Sequence, residues 1–117
     1  MNRNSQVRTP PAPSGRLDEA TGAALALLEN RWTLRLLTAL IAGPARFGEL
    51  EAAVPRLSRR LLSERLRHLE ASGLLVRTAQ PGPPITSTYN LTAEGQKLGP
   101  GLELMRRWAA SRDPRAG

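Results

Sequence analysis

The chain has 117 residues, enough for one domain with a modest core, and a formal charge of +7 from 17 basic and 10 acidic residues. Aromatic residues make up only 3% against a hydrophobic total of 40%, so leucine and alanine must do the packing, and leucines at helical spacing favour a helical core over a β-sandwich. There is no cysteine, which excludes disulfides, thiol redox sensing and cysteine-ligated zinc, and the single histidine, His68, excludes a histidine-rich metal site within one chain.

Sixteen of the basic residues are arginine and only Lys97 is lysine. The planar guanidinium fork suits phosphate and guanine edges, and an excess of this size suggests an anionic partner, nucleic acid or an acidic membrane surface, the alternative being an arginine bias set by the base composition of the coding DNA. No apolar run approaches the ~20 residues that span a bilayer, and the first residues lack the apolar core of a secretory signal. The expectation is a cytoplasmic protein with no membrane partner, no metal and no cofactor.

Residues 1–16, with Pro10, Pro11 and Pro13 close together, read as a disordered arm, first of all an inert tail, although Arg3, Arg8 and Arg16 leave a DNA-grasping role open. Residues 17–111 form the expected folded domain. Asp18 and Glu19 open a first helix to about Glu29, weakened by Gly22. The chain restarts near Asn30, and Trp32, Leu36, Leu37, Leu40 and Ile41 form the face of a second helix that Gly43 and Pro44 end. A short segment at Ala45 and Arg46 leads to a third helix over 47–53. Ser58 caps a fourth over 59–72, and Gly73 terminates it. Leu74 to Gln80 reads as a strand, 81–84 as a proline-rich tip, and Thr86 to Leu91 as the returning strand. Thr92 caps a last helix carrying Leu98, Leu102, Met105 and Trp108, with Gly99, Pro100 and Gly101 set to kink or split it. Residues 112–117 read as a flexible tail.

Helix, helix, tight turn, helix, strand, turn, strand, helix describes a winged helix-turn-helix: mainly α, with a small β-hairpin wing. The second helix of such a pair fits the major groove. At ~100° per residue, Leu62, Leu66 and Leu69 share the inner face of the 59–72 helix. Arg60, Glu64 and Arg67 fall opposite, flanked by Ser63 and His68, with Arg59 near the first turn. Arg59 and Arg60 are the best placed for base edges, Arg67 for backbone phosphate, and Ser58 with the free amides of the first turn for another phosphate. The alternative is an ordinary solvated helix face. Against it, six arginines between Arg56 and Arg77 meet only Glu64 and Glu70, a local balance of +4. His68 has no metal-ligand partner at helical spacing and reads as a solvated or phosphate-facing side chain. Trp32, Met105 and Trp108 read as core or dimer contacts, with a small-molecule pocket as the alternative. No nucleophile–base pair, carboxylate pair or phosphate loop suggests an enzyme.

Asn30-Arg31-Trp32-Thr33-Leu34, Gly43-Pro44, Arg46-Phe47-Gly48-Glu49-Leu50 and Leu57-Ser58 together resemble the HxlR-type regulators, a branch of the MarR-like winged-helix proteins. The resemblance continues through Leu61 to Arg67, Leu69 to Leu74, Tyr89-Asn90-Leu91-Thr92 and Gly95, covering about residues 18–110. It implies a homodimer, joined by the first and last helices, that regulates transcription from a pseudo-palindromic operator, most often by repression. Carried over, it makes Ser58, Arg59, Arg60, Ser63, Glu64 and Arg67 the DNA-reading set. Arg77 and Thr86 become wing contacts, and Leu25, Leu28, Trp32, Leu102, Met105 and Trp108 dimer or ligand contacts. Many family members carry a sensing cysteine near the first helix, which this chain lacks; a small-molecule effector is still compatible. Family wings often hold a basic residue after the prolines, where this chain has Ile85 and Thr86. The competing reading is a winged-helix module that binds a partner protein instead of DNA.

Overall fold

A computed structural model of the chain describes residues 16–113 and Arg115. The expected N-terminal arm, apart from Arg16, and residues 114, 116 and 117 of the expected tail lie outside the described residues, and Arg112 of that tail ends the last helix instead. The chain divides into two compact units, one ending at Arg31 and the other starting at Trp32.

The first unit contains helix α1 (Glu19–Leu28). Asp18 is its N-cap: its carboxylate accepts from the Thr21 amide at 2.7 Å and from the Thr21 hydroxyl at 2.9 Å. None of its residues is buried.

The second unit runs α2 (Thr33–Ile41), β1 (Ala45–Arg46), α3 (Phe47–Ala53), α4 (Arg59–Ala71), β2 (Leu75–Gln80), β3 (Thr86–Leu91), α5 (Ala93–Gln96) and α6 (Gly99–Arg112). Every buried hydrophobic residue among those described is leucine except Val54. Leu36, Leu37 and Leu40 of α2, Leu50 of α3 and Leu62, Leu66 and Leu69 of α4 are sealed from solvent. Burial of this kind contributes about 1.5–3 kcal/mol per leucine side chain before chain entropy is counted. It fixes the inner side of α4, and so decides which side remains outward.

The hairpin alone was expected as the wing; the sheet is three-stranded and antiparallel, in the order β1-β3-β2. Ala45 pairs with Tyr89 and Arg46 with Thr88, so the short segment before α3 becomes an edge strand. β2 and β3 pair without a break from Leu75↔Leu91 to Gln80↔Thr86. Side chains alternate across a strand, so Arg77 and Tyr89 share the face of buried Leu75 and Leu91, while Thr78, Thr88 and Arg46 lie on the other.

The last helix is two helices. Thr92 caps α5, its hydroxyl accepting from the Gly95 amide at 3.1 Å. After Leu98 the chain restarts with Pro100 in the first turn of α6, where the missing N–H is no loss.

Candidate nucleic-acid interface

Local chemistry sets both ends of α4. The Ser58 hydroxyl accepts from the Leu61 amide at 3.1 Å. At the far end the Gly73 amide donates to the Glu70 carbonyl and the Leu74 amide to the Leu69 carbonyl, both at 3.1 Å, with Gly73 at φ +80°. This is a Schellman termination, and it requires the left-handed residue that glycine supplies.

The outer side of α4 presents charge to solvent. The Arg60 side chain is 82% exposed and reaches Glu64 at 3.2 Å, one helical turn on. Exposed pairs of this kind contribute ~0–1 kcal/mol, so a phosphate or base edge can displace the carboxylate. Arg67 is exposed and its Nη2 donates to Ser63 Oγ at 3.4 Å. His68 is also exposed. Ser58 therefore caps, and Arg60, Ser63, Glu64 and Arg67 lie on, one helix whose Leu62, Leu66 and Leu69 are buried in the core.

Arg59 is used differently from its neighbour. Its Nη1 donates to both carboxylate oxygens of Glu51, at 3.0 and 3.1 Å, and its guanidinium lies 5.1 Å from the Phe47 ring centre. Both partners belong to α3. Arg59 thus ties the two helices of the helix-turn-helix together, a use that competes with base contact.

The two wing candidates separate. Arg77, at the base of the hairpin, shares a groove of about 350 Å³ with Tyr89 of β3 and with Ser63, Leu66, Arg67 and Glu70 of α4. Thr86 lies at the other end of the hairpin, in a hollow with Arg46, Phe47 and Ser87. Tyr89 and Arg46 were not singled out in the sequence. The signal for Arg46 was a basic residue in a short extended segment. Tyr89 stood in the sequence only as part of a family motif, since its place beside Arg77 depends on the strand register.

These features, a leucine-anchored helix with arginines outward beside a small antiparallel sheet, are those of a winged helix-turn-helix, and the comparisons agree. The HxlR-like helix-turn-helix family matches residues 27–116. The chain belongs to that family. The uncharacterized HTH-type transcriptional regulator YvaP of Bacillus subtilis is 42% identical over 86 residues, 74% of this chain and 80% of YvaP. The reduced form of the transcriptional regulator YodB from B. subtilis superposes with a TM-score of 0.72 at 29% identity, covering 87% of this chain and all of that one. A transcriptional regulator of the MarR family from Enterococcus faecalis V583 gives 0.69 at 30% identity, covering 86% and 93%. This HxlR-like protein is a transcriptional regulator with a winged helix-turn-helix fold, and its family consists of regulators rather than enzymes.

The candidate dimer or ligand residues of the HxlR-like chain also separate. Leu102 is only 9% exposed and packs into the chain's own core. Met105 and Trp108 stay 44% and 58% exposed on α6, as does neighbouring Leu104 at 64%. Arg112 stacks over Trp108 at 4.8 Å. Hydrogen bonds from Arg106, with help from Arg107, hold the Glu103 carboxyl down at about 2. Trp32 and Met105 line one open cleft of about 650 Å³ with Leu34, Arg35, Val54 and Arg56. In α1, Leu25 is exposed and Leu28 half-buried. No helix of the described residues is long and apolar enough to cross a membrane.

Proposed function

We propose that this protein binds double-stranded DNA sequence-specifically as a homodimer on a pseudo-palindromic operator, and represses transcription from it. The observation that carries the reading is the outward arginine face of α4, with Arg60 and Arg67 free of any buried partner and Ser58 opening the helix. The amides of the first turn and the Ser58 hydroxyl suit one phosphate, and the Arg60 fork suits a guanine edge. Exposed Leu104, Met105 and Trp108 on α6, and exposed Leu25 and half-buried Leu28 on α1, support pairing of two copies through the terminal helices. Two recognition helices then read half-sites about one helical turn, ~34 Å, apart. The work is done in the cytoplasm.

YodB has been seen reduced, treated with diamide and bound to a quinone. This chain has no cysteine, so any signal reaches it without a thiol. The cleft at Trp32 and Met105 is the site we assign to a small-molecule effector.

The test is a gel shift with duplex from upstream of the protein's own gene at two salt concentrations. A shift that weakens steeply with salt is expected, because arginines displace condensed counterions. Failure to shift any duplex would leave the partner-protein module as the reading.

A further inference from the structure

Resting on the DNA-binding reading above, we propose that the groove between α4 and the base of the hairpin is a seat for one backbone phosphodiester of the bound duplex. In this proposal the seat, and not the tip of the wing, anchors the sheet side of the protein to DNA.

Two guanidinium groups from different elements, Arg67 of α4 and Arg77 of β2, line this groove. Neither forms an ion pair among the described residues, and the partner of Arg67 is the neutral Ser63 hydroxyl. Ser63 and Tyr89 add hydroxyl groups to the same lining, and Leu66 adds an apolar floor. Forked cations with neutral donors on one wall and another match the oxygens of a phosphodiester. The groove flanks α4 on the side of the sheet. With α4 in the major groove, one of the sugar-phosphate strands that border it lies, in this proposal, against this side.

The hairpin tip has none of this chemistry. From Thr78 through Ala93 the sequence contains no charged residue. At the tip Ile85 is 76% exposed. An uncharged tip contributes no counterion release and no guanidinium to a narrow minor groove. The cationic contact of this wing has been moved to its base.

One lining residue opposes the phosphate: the Glu70 carboxylate. Its presence makes the proposal testable in both directions. The intact protein and four variants, Arg77→Gln, Arg77→Lys, Glu70→Gln and Ile85→Ser, are titrated with an operator duplex and a scrambled duplex over a range of salt. Arg77→Gln is expected to weaken both duplexes by a similar factor and to reduce the salt slope by ~1. Arg77→Lys keeps the slope, which guards against a mere loss of folding. Glu70→Gln tightens both duplexes, and Ile85→Ser changes neither. A flat response to both Arg77→Gln and Glu70→Gln would overturn the seat while leaving DNA binding intact. So would a larger loss from Ile85→Ser than from Arg77→Gln. An unmodified protein that binds no duplex would sink the DNA-binding reading and the seat with it.

Discussion

Arg59 and Arg60 are adjacent, both arginine and both largely exposed, yet the structure gives them different work. Arg60 is balanced only by Glu64 on its own helix, whereas Arg59 reaches across the turn to Glu51 and lies over Phe47. Periodicity made Arg60 legible, since a single helix fixes its direction. The partner of Arg59 lies eight residues away on another helix, and no pattern within α4 points to it. Arg59→Ala is therefore expected to lower stability by ~1 kcal/mol, the size of an exposed pair plus a surface cation–π contact. It should lower operator affinity less than Arg60→Ala does. Thermal denaturation and DNA titration of the two variants check this; a larger affinity loss from Arg59→Ala would mean that DNA draws Arg59 away from Glu51.

Elements bounded by local signals were the ones the sequence made plain. Ser58 and Gly73 delimit α4 because a hydroxyl cap and a left-handed glycine act within a few residues of chain. β1 was missed as a strand because its two residues are strand only through pairing with β3, far along the chain. The split between α5 and α6 was foreshadowed by Gly99, Pro100 and Gly101, but where it fell depended on packing. Thr92 is the hinge of that packing: its hydroxyl donates to the Gly73 carbonyl at 2.7 Å and its amide to the Leu74 carbonyl at 3.0 Å. These bonds draw α5 so close to the end of α4 that a Cβ on Gly95 would run into the Leu74 carbonyl oxygen. Gly95→Ala is expected to destabilise by about 1–3 kcal/mol through overpacking. Gly101→Ala, where a Cβ meets open space within α6, should stabilise by up to about 1 kcal/mol. Denaturant titration of both variants checks the pair, and equal effects would contradict the close approach at Gly95.

At the scale of the whole molecule, the fold was written in the order of elements, which survives without tertiary detail, and the regulatory class came with the resemblance of the sequence motifs to the HxlR-type regulators. The site was legible only along α4. Arg77 and Thr86 were grouped as wing residues, and pairing register sends them to different neighbours, one to α4 and one to β1. Leu102 came in with the dimer contacts that the resemblance implies, and its own fold packs it at 9% exposure, because a family likeness marks a helix but not which of its residues the chain covers itself. The account as a whole rests on the outward face of α4 entering the major groove. The most direct measurement is the affinity of Arg60→Ala for the DNA segment that the intact protein protects, with circular dichroism confirming the fold. A loss of ~1–3 kcal/mol is expected. A folded variant that binds that segment as tightly as the intact protein would contradict the account.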